Sequence, residues 1–316
     1  KDQRYESIFD LVKRIDLRAA NKKAFENLAL AGGFDSFLNV KRAQYFNPDG
    51  DGVTFLEKVL RFGSKYQENL NSSQTSLFGE ETNSTYQDLT IPDCEAWTNL
   101  IRLKKEKEVV GIYISSHPLD DFTHEIEHFV TLSLNQLGAL DQLVNREFSI
   151  GGIVNEIQHL ESRNGKGWAR FIVEDFSDQY EFRIFGEDYL KYRHFLVVNQ
   201  FIRVRIMIRE GWTNRETGKV GAPRMQYLHF EMLQNTVENN AKKLTLQLEI
   251  SQLKNESVLQ LKEELKSFKG DKQLMFNVYD SEKKVKLTLN SKKQKVKITP
   301  ELLKLLDEKQ WLYKLN

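Results

Sequence analysis

Five short stretches of alternating apolar residues lie between positions 146 and 235 and are the strongest structural signal in the sequence. Side chains of a strand alternate between two faces, so each stretch predicts a β-strand. A short polar helix fits Glu187–His194, between the third and fourth strands. The strands are expected to open at Phe148 and to continue as Trp168–Val173, Tyr180–Phe185, Phe201–Ile208 and Met225–Leu233.

The order strand-strand-strand-helix-strand-strand is that of an OB-fold β-barrel. OB-folds bind single-stranded nucleic acid by stacking bases on exposed aromatic rings beside basic side chains. Lys and Arg number 13 in this region and Asp and Glu 12, so we expect modest, salt-sensitive binding. The alternative is that Phe171, Phe182 and Phe185 are barrel core, and for these three we expect that position. The predicted nucleic-acid-binding residues lie on strands two and four and in two loops: Arg163, Lys166, Trp168, Arg170, Arg203, Arg205, Lys219 and Arg224.

Residues 1–70 show a helical period instead. Ile8, Leu11, Val12 and Ile15 recur at helix spacing. A second helix is predicted over Lys22–Ala31, with Phe25, Leu28 and Ala29 on one face. Asn21 is its predicted N-cap, and Gly32 and Gly33 are expected to end it.

A polar linker follows over residues 71–95. From Ser72 to Glu95 there are five acidic residues and no Lys or Arg. Such a segment buries too little apolar surface to fold alone. One apolar island interrupts it, Gln74-Thr75-Ser76-Leu77-Phe78, and helical patterns return over residues 96–145.

Three longer segments carry a family resemblance. The segment LKKEKEVVGIYISSHPLDDF, residues 103–122, closely resembles the one that introduces the C-terminal region of bacterial replicative DNA polymerase III alpha subunits. RIDLRAANKKAFENLALAGGFDSF, residues 14–37, resembles the second half of that family's tandem helix-hairpin-helix module. EDFSDQYEFRIFGEDYLKY resembles its OB-domain segment, although Gly186 replaces the usual Pro and Asp178 the usual Gly.

The resemblance implies a multidomain α+β chain in five parts. Residues 1–70 would be the C-terminal half of a helix-hairpin-helix domain, and residues 71–95 a linker with a clamp-binding motif. Residues 96–145 would form a helical connector, 146–235 the OB-fold, and 241–316 a small α+β domain similar to a tau-binding domain. The hairpin at residues 15–18 lacks the phosphate-binding Gly-x-Gly, so DNA binding by the first part alone is not expected.

Gln74, Leu77 and Phe78 match the family's Q-x-x-L-F pentapeptide, which implies binding to the sliding clamp. Burying one Leu and one Phe side chain contributes roughly 1.5–3 kcal/mol each before ordering costs, so we expect weak binding that tethering makes useful. The alternative is that Leu77 and Phe78 pin the linker onto the chain's own domain.

Residues 241–316 predict a strand with Leu244, Leu246 and Leu248, an amphipathic helix over Ser257–Phe268, a hairpin, and a last helix beginning at Pro300. This part holds 17 Lys against 10 Asp and Glu. The resemblance implies docking to the clamp-loader tau subunit. A solvated lysine face, or contact with duplex DNA or an acidic partner, stays open.

The remaining motifs favour structural interpretations. One cysteine, Cys94, excludes an intrachain disulfide. Asn47, Asp49, Asp51 and Gly52 fit the start of a calcium loop, but Lys58 occupies the position that needs a bidentate Glu, so a turn is predicted. His117 in the sequence SSHPLDD is interpreted as structural rather than catalytic.

Enzymatic chemistry is not expected from this chain. The magnesium-binding carboxylates of the polymerase family lie upstream, so no catalytic residue, metal or cofactor is predicted here, whereas the parent polymerase would use Mg²⁺. The start at Lys1 suggests a fragment, expected in the cytoplasmic, nucleoid-associated replisome with no membrane contact. Competing hypotheses are a stand-alone OB-fold nucleic-acid-binding protein without clamp interaction, and a hydrolase that uses His117.

Overall fold

The computed structural model describes residues 4–37, 39–71, 89–213, 219–253 and 255–316. The chain divides into two compact units, Lys1–Pro118 and Leu119–Asn316. The fold is mixed α+β, as predicted. The division into five parts stays a prediction.

The first unit is helical. Asn21 caps α2, because its side-chain oxygen accepts a hydrogen bond from the Ala24 amide at 3.0 Å. Gly32 ends α2 with φ of 85°, a left-handed conformation that glycine adopts without steric cost. Phe25 and Ala29 of α2 are buried, whereas Leu28 is 48% exposed. The helices are α1 Ile8–Arg14, α2 Lys22–Ala31, α3 Arg42–Phe46, α4 Phe55–Asn71 and α5 Asn99–Val110.

The turn before α4 is confirmed. The Asp49 side chain accepts hydrogen bonds from the amides of Asp51 and Val53, at 3.0 and 2.9 Å. Lys58 contacts the same carboxylate at 2.6 Å. A lysine ammonium therefore supplies the positive charge at this loop.

The second unit begins with α6 (Thr123–Phe129) and a 3₁₀ segment (Leu134–Leu143), and then forms a five-stranded antiparallel sheet of order β3-β2-β1-β4-β5. Helix α7 (Gly186–Tyr192) connects β3 to β4, as predicted. The strands are β1 Arg146–Glu161, β2 Gly167–Glu174, β3 Gln179–Phe185, β4 Phe201–Arg209 and β5 Arg224–Met232.

Strand β1 is shared between two partners. Residues 146–153 pair with β4, and residues 153–161 pair with β2. A Cβ at Gly152 would clash with the Glu174 carbonyl, so this crossing requires glycine. Strands β3 and β5 are the two edges of the sheet, and the Tyr227 hydroxyl on β5 donates a hydrogen bond to the Arg183 carbonyl on β3 at 2.9 Å.

The sheet encloses an apolar core on one face. Phe171 and Phe182 are buried in it, as expected. The expectation that Phe185 is core was wrong, because this ring is 57% exposed. Since Phe182 and Ile184 already point inward, the two-residue period turns Phe185 outward.

The chain ends in a four-stranded sheet of order β8-β7-β6-β9, in which β6 and β7 are parallel. Strand β6 and the β7–β8 hairpin match the sequence prediction, whereas β9 and the parallel pairing were not predicted. The elements are α8 Thr236–Asn240, β6 Lys243–Glu249, α9 Asn255–Ser267, β7 Lys269–Asp280, β8 Val285–Asn290, α10 Pro300–Glu308 and β9 Leu312–Leu315. Leu261 and Leu265 of α9 and Leu302 of α10 pack into the core beneath β6.

Candidate nucleic-acid interface

The outer face of β1, β2 and β3 presents side chains in three parallel rows. Strand register sets the rows, because directly paired residues on one face are neighbours. The rows are Leu160–Trp168–Phe185, Gln158–Arg170–Arg183 and Glu156–Ile172–Glu181.

The first of these, here called the aromatic row, is an apolar strip in which Trp168 is half-buried between two more exposed side chains. The rings of Trp168 and Phe185 stack with centroids 5.2 Å apart and planes 19° apart. Leu160 is 39% exposed at the β1 end of the strip, and Phe185 is 57% exposed at the β3 end. Aromatic faces left in solvent in this way offer a surface on which nucleobases stack.

Arg170 and Arg183, here called the arginine pair, lie beside the aromatic row and share one acidic partner. Nη1 of Arg170 donates to Oε2 of Glu181 at 3.2 Å. Nε and Nη2 of Arg183 donate to Oε1 of the same residue at 3.0 and 2.9 Å. One carboxylate therefore bridges the two guanidinium groups.

The turn between β1 and β2 adds two cations next to the aromatic row. Arg163 and Lys166 are both exposed there. Gly165 has φ of 70°, and the Lys166 amide donates to the Ser162 hydroxyl at 3.1 Å, which fixes the turn. These predicted residues therefore lie with Trp168 and Arg170 in one region of the sheet.

A second aromatic–arginine contact lies at the β4–β5 connection. The guanidinium carbon of Arg224 is 3.9 Å from the centroid of the Trp212 ring. Trp212 is 75% exposed, and Lys219 is also exposed in this connection. The cation therefore contacts an indole ring that is largely exposed to solvent.

Arg203 and Arg205 share one face of β4, as predicted, but their environments differ. Arg203 is 8% exposed, and its Nη1 contacts Glu231 at 2.5 Å. Arg205 is partly exposed and forms an ion pair with Glu147. Arg203 is thus occupied inside the protein and does not extend the exposed cationic surface.

Sequence reasoning missed Leu160, Phe185, Arg183 and Trp212. The first three follow from strand alternation, because residues two apart share a face with the predicted ones or are paired with them across the sheet. Trp212 lies in a loop, where no period assigns exposure.

The structure adds less about the other predicted sites. Gln74, Leu77 and Phe78 lie outside the described residues. The His117 ring contacts Tyr113 edge-on, at 4.9 Å between centroids. Within the described ranges, no three His, Cys, Asp or Glu side chains are placed to hold a metal ion. Among the same residues, no helix has the length and apolar character needed to cross a membrane.

Two family models match the chain. Residues 244–316 match the DNA polymerase III alpha subunit, C-terminal domain. Residues 1–45 match the helix-hairpin-helix motif. The matches lie at opposite ends of the chain, in the order that the sequence resemblance implies.

Curated relatives extend the similarity. The DNA polymerase III subunit alpha of Borreliella burgdorferi is 28% identical over 299 residues, which cover 92% of this chain and 24% of that protein. The corresponding subunit of Mycobacterium tuberculosis is 31% identical over 188 residues, which cover 58% of this chain and 15% of that protein. The resemblance to the C-terminal region of alpha subunits is confirmed, and the chain spans less than a quarter of the length of these relatives.

Among solved structures, the chain is similar to a small single-stranded DNA-binding protein from Streptomyces coelicolor. The TM-score is 0.16 at 12% identity, with 28% of this chain and 94% of that chain covered. A TM-score this low does not establish a common fold.

Proposed function

We propose that this chain, as a C-terminal region of a bacterial DNA polymerase III alpha subunit, serves DNA replication without carrying the catalytic centre. It contacts the single-stranded template through the outer face of β1–β3. The observation that carries this proposal is the aromatic row with the arginine pair beside it. Stacking on such rings is worth roughly 1–3 kcal/mol per base and tolerates any sequence.

An OB-type barrel is the architecture we infer for residues 146–235. Its support is the sheet order, the sharing of β1 between β2 and β4, and the helix between β3 and β4. The Tyr227–Arg183 hydrogen bond brings the β5 and β3 edges together, as closure of a barrel requires. The outer face of the central strands is where OB-folds bind oligonucleotides.

Bases would stack along the aromatic row, and phosphates would contact the arginine pair in the neighbouring row. Arg163 and Lys166 would follow the backbone beyond Trp168, and Arg224 with Lys219 would contact it at the β4–β5 connection. Because guanidinium groups bind phosphate with two parallel hydrogen bonds, the pair positions the strand as well as attracting it.

The decisive test is fluorescence anisotropy of a labelled thymidine oligonucleotide titrated with the chain. Trp168→Ala/Phe185→Ala is expected to weaken binding at least tenfold, in line with the loss of one or two stacked bases. Phe176→Ala is the matched control, because Phe176 is 50% exposed outside the aromatic row. Equal affinity of the wild type and the double variant would rule out this face as the binding site.

The linker motif supplies the second contact of the proposal. Gln74, Leu77 and Phe78 would bind an apolar pocket of the sliding clamp, and the last domain would dock the clamp-loader tau subunit. Titrating the chain with its cognate clamp tests the first contact. Leu77→Ala/Phe78→Ala should abolish clamp binding while oligonucleotide affinity stays unchanged.

The runner-up is an OB-fold nucleic-acid-binding protein that uses no clamp. It shares the proposed DNA contact, so clamp titration separates the two hypotheses. No wild-type binding at tens of micromolar clamp would favour the runner-up. In the proposed function, the parent polymerase works in the cytoplasmic replisome, with Mg²⁺ and catalytic carboxylates supplied from elsewhere in that protein.

A further inference from the structure

We infer that Glu181 is a built-in competitor for phosphate. Its carboxylate occupies the arginine pair in the free protein and yields that place when a nucleic-acid phosphate binds. The inference rests on the proposed nucleic-acid contact of this face and adds a residue that sets its affinity.

The geometry of Glu181 is that of a bound oxyanion. Its two carboxylate oxygens each accept from a different guanidinium, Oε2 from Arg170 at 3.2 Å and Oε1 from Arg183 at 2.9 and 3.0 Å. A phosphate group offers the same pattern of oxygens to guanidinium forks. A phosphate that binds the forked Nε and Nη2 edge of Arg183 uses the donors that now serve Glu181, and so competes with the carboxylate for them.

The exposure of the three side chains makes the exchange inexpensive. Arg170, Glu181 and Arg183 are 37, 34 and 62% exposed. Ion pairs at such positions contribute little free energy, because water already screens them. Displaced from the arginines, the carboxylate can regain water without unfolding any part of the sheet.

Competition from Glu181 has a signature in the salt dependence of binding. Affinity for single strands falls with salt because each phosphate neutralised releases counterions. Glu181 already neutralises part of the charge of the arginine pair. The wild-type protein therefore neutralises fewer phosphates than a variant without this carboxylate would. The free chain would therefore bind template weakly and release it readily.

The test compares Glu181→Gln with Glu156→Gln on a labelled thymidine oligonucleotide over a range of salt. Glutamine keeps the size of the side chain and removes its charge. Glu181→Gln is expected to tighten binding about threefold to tenfold at low salt, the equivalent of losing two exposed ion pairs. The slope of log affinity against log salt should steepen by about 0.7, for one more phosphate neutralised.

Glu156→Gln is the matched control. Glu156 lies in the same row as Glu181 and forms no ion pair among the described residues. Its substitution by glutamine removes the same charge. Its substitution should change affinity less than twofold. In an Arg183→Ala background, the effect of Glu181→Gln should shrink, because half of the contact is already gone.

An affinity of Glu181→Gln equal to or weaker than that of Glu156→Gln would overturn the inference, since the carboxylate would then align the arginines or do nothing. Wild-type chain that binds no oligonucleotide would instead remove the proposed function on which the inference rests. Unchanged melting temperatures of all variants establish that each comparison concerns folded protein.

Discussion

The five-stranded sheet carries two arginine–glutamate systems with the same chemistry and opposite burial. Arg203 and Glu231 are 8 and 6% exposed, whereas Arg183 and Glu181 have side chains that are 62 and 34% exposed. A buried ion pair cannot be separated without leaving a charge out of water. An exposed pair can exchange its partner, which is what a ligand-binding surface needs.

The neighbours of the two systems reinforce the difference. Nε of Arg203 donates to the Phe129 carbonyl at 3.0 Å and to the Ser149 hydroxyl at 2.6 Å. The Asn240 side chain donates to Glu231 at 2.9 Å. The pair thus joins β4 and β5 to α6 and α8, while the arginine pair of the outer face is tied to a single carboxylate.

The largest expected effect is on stability, from Arg203→Ala. It leaves Glu231 buried without its cation and should lower the free energy of unfolding by about 3–5 kcal/mol. Arg205→Ala removes a partly exposed pair with Glu147 and should cost no more than about 1 kcal/mol. Denaturant titration measures both, and equal losses would break the contrast between buried and exposed arginines. Oligonucleotide affinity of folded Arg203→Ala should match the wild type.

Glu106→Gln extends the comparison to the first unit. Glu106 is buried and accepts hydrogen bonds from the amides of Ile114 and Ser115, from the Ser115 hydroxyl, and from Arg42. Neutralising this acceptor should cost about 1.5–3 kcal/mol at pH 7, because hydrogen bonds to a charged group are the stronger ones.

The pH dependence of this loss has a definite sign. Burial alone raises the pKa of Glu106, but hydrogen bonds from Ser115, Ile114 and Arg42 outweigh it, and the net pKa is lowered. As pH falls, Glu106 is therefore protonated in the unfolded state before it is protonated in the folded state. The stabilisation is present above the unfolded-state pKa and disappears as pH falls through the folded-state pKa. Thermal melts should separate Glu106→Gln from the wild type at pH 7 and much less in strong acid.

Glu125→Gln should act in the opposite direction. Glu125 is 1% exposed, and its Oε2 has no hydrogen-bond partner within the described part of the chain. Burial raises its pKa, so its contribution is most favourable at low pH and is lost as pH rises through the folded value. Glutamine should stabilise the chain by about 1 kcal/mol at pH 7 and give no gain in acid. A destabilised variant at pH 7 would contradict this.

The smallest expected effect comes from Arg183→Lys on the outer face. Lysine keeps the charge but loses the planar fork that grips an oxyanion with two hydrogen bonds. We expect a twofold to threefold loss of oligonucleotide affinity with unfolding free energy changed by less than about 0.5 kcal/mol. A large loss of stability would show that the exposed system, too, is structural.

Local sequence patterns predicted most of the second unit. The two-residue period placed the start of β1 and both ends of β2 to β5 within one or two residues, and capping residues placed the starts of α2 and α10. The same period would have turned Phe185 outward, but the expectation that Phe185 is core together with Phe171 and Phe182 overrode it.

Tertiary packing decided the rest. Arg203 and Arg205 have equivalent positions along β4, and it is α6 and α8 that cover only the first. Parallel pairing of β6 with β7 depends on where α9 returns the chain to the sheet. The spacing of apolar residues within one element does not predict that position. The three rows of the outer face likewise depend on register, which sets neighbours from strands far apart in sequence.

Sharing β1 between β2 and β4 has a consequence for motion. One half of the strand pairs with β4 and the other half with β2, so releasing either neighbour disturbs the strand that holds the other. The hydrogen-bonded amides of β1 should therefore exchange with deuterium more slowly than those of the connecting turns. The stacked rings of Trp168 and Phe185 belong to the same sheet, because Leu160 of β1 pairs with Trp168 of β2, which in turn pairs with Phe185 of β3. A base that arrives meets a surface ordered before it binds, and little conformational entropy is lost in the protein when the base stacks.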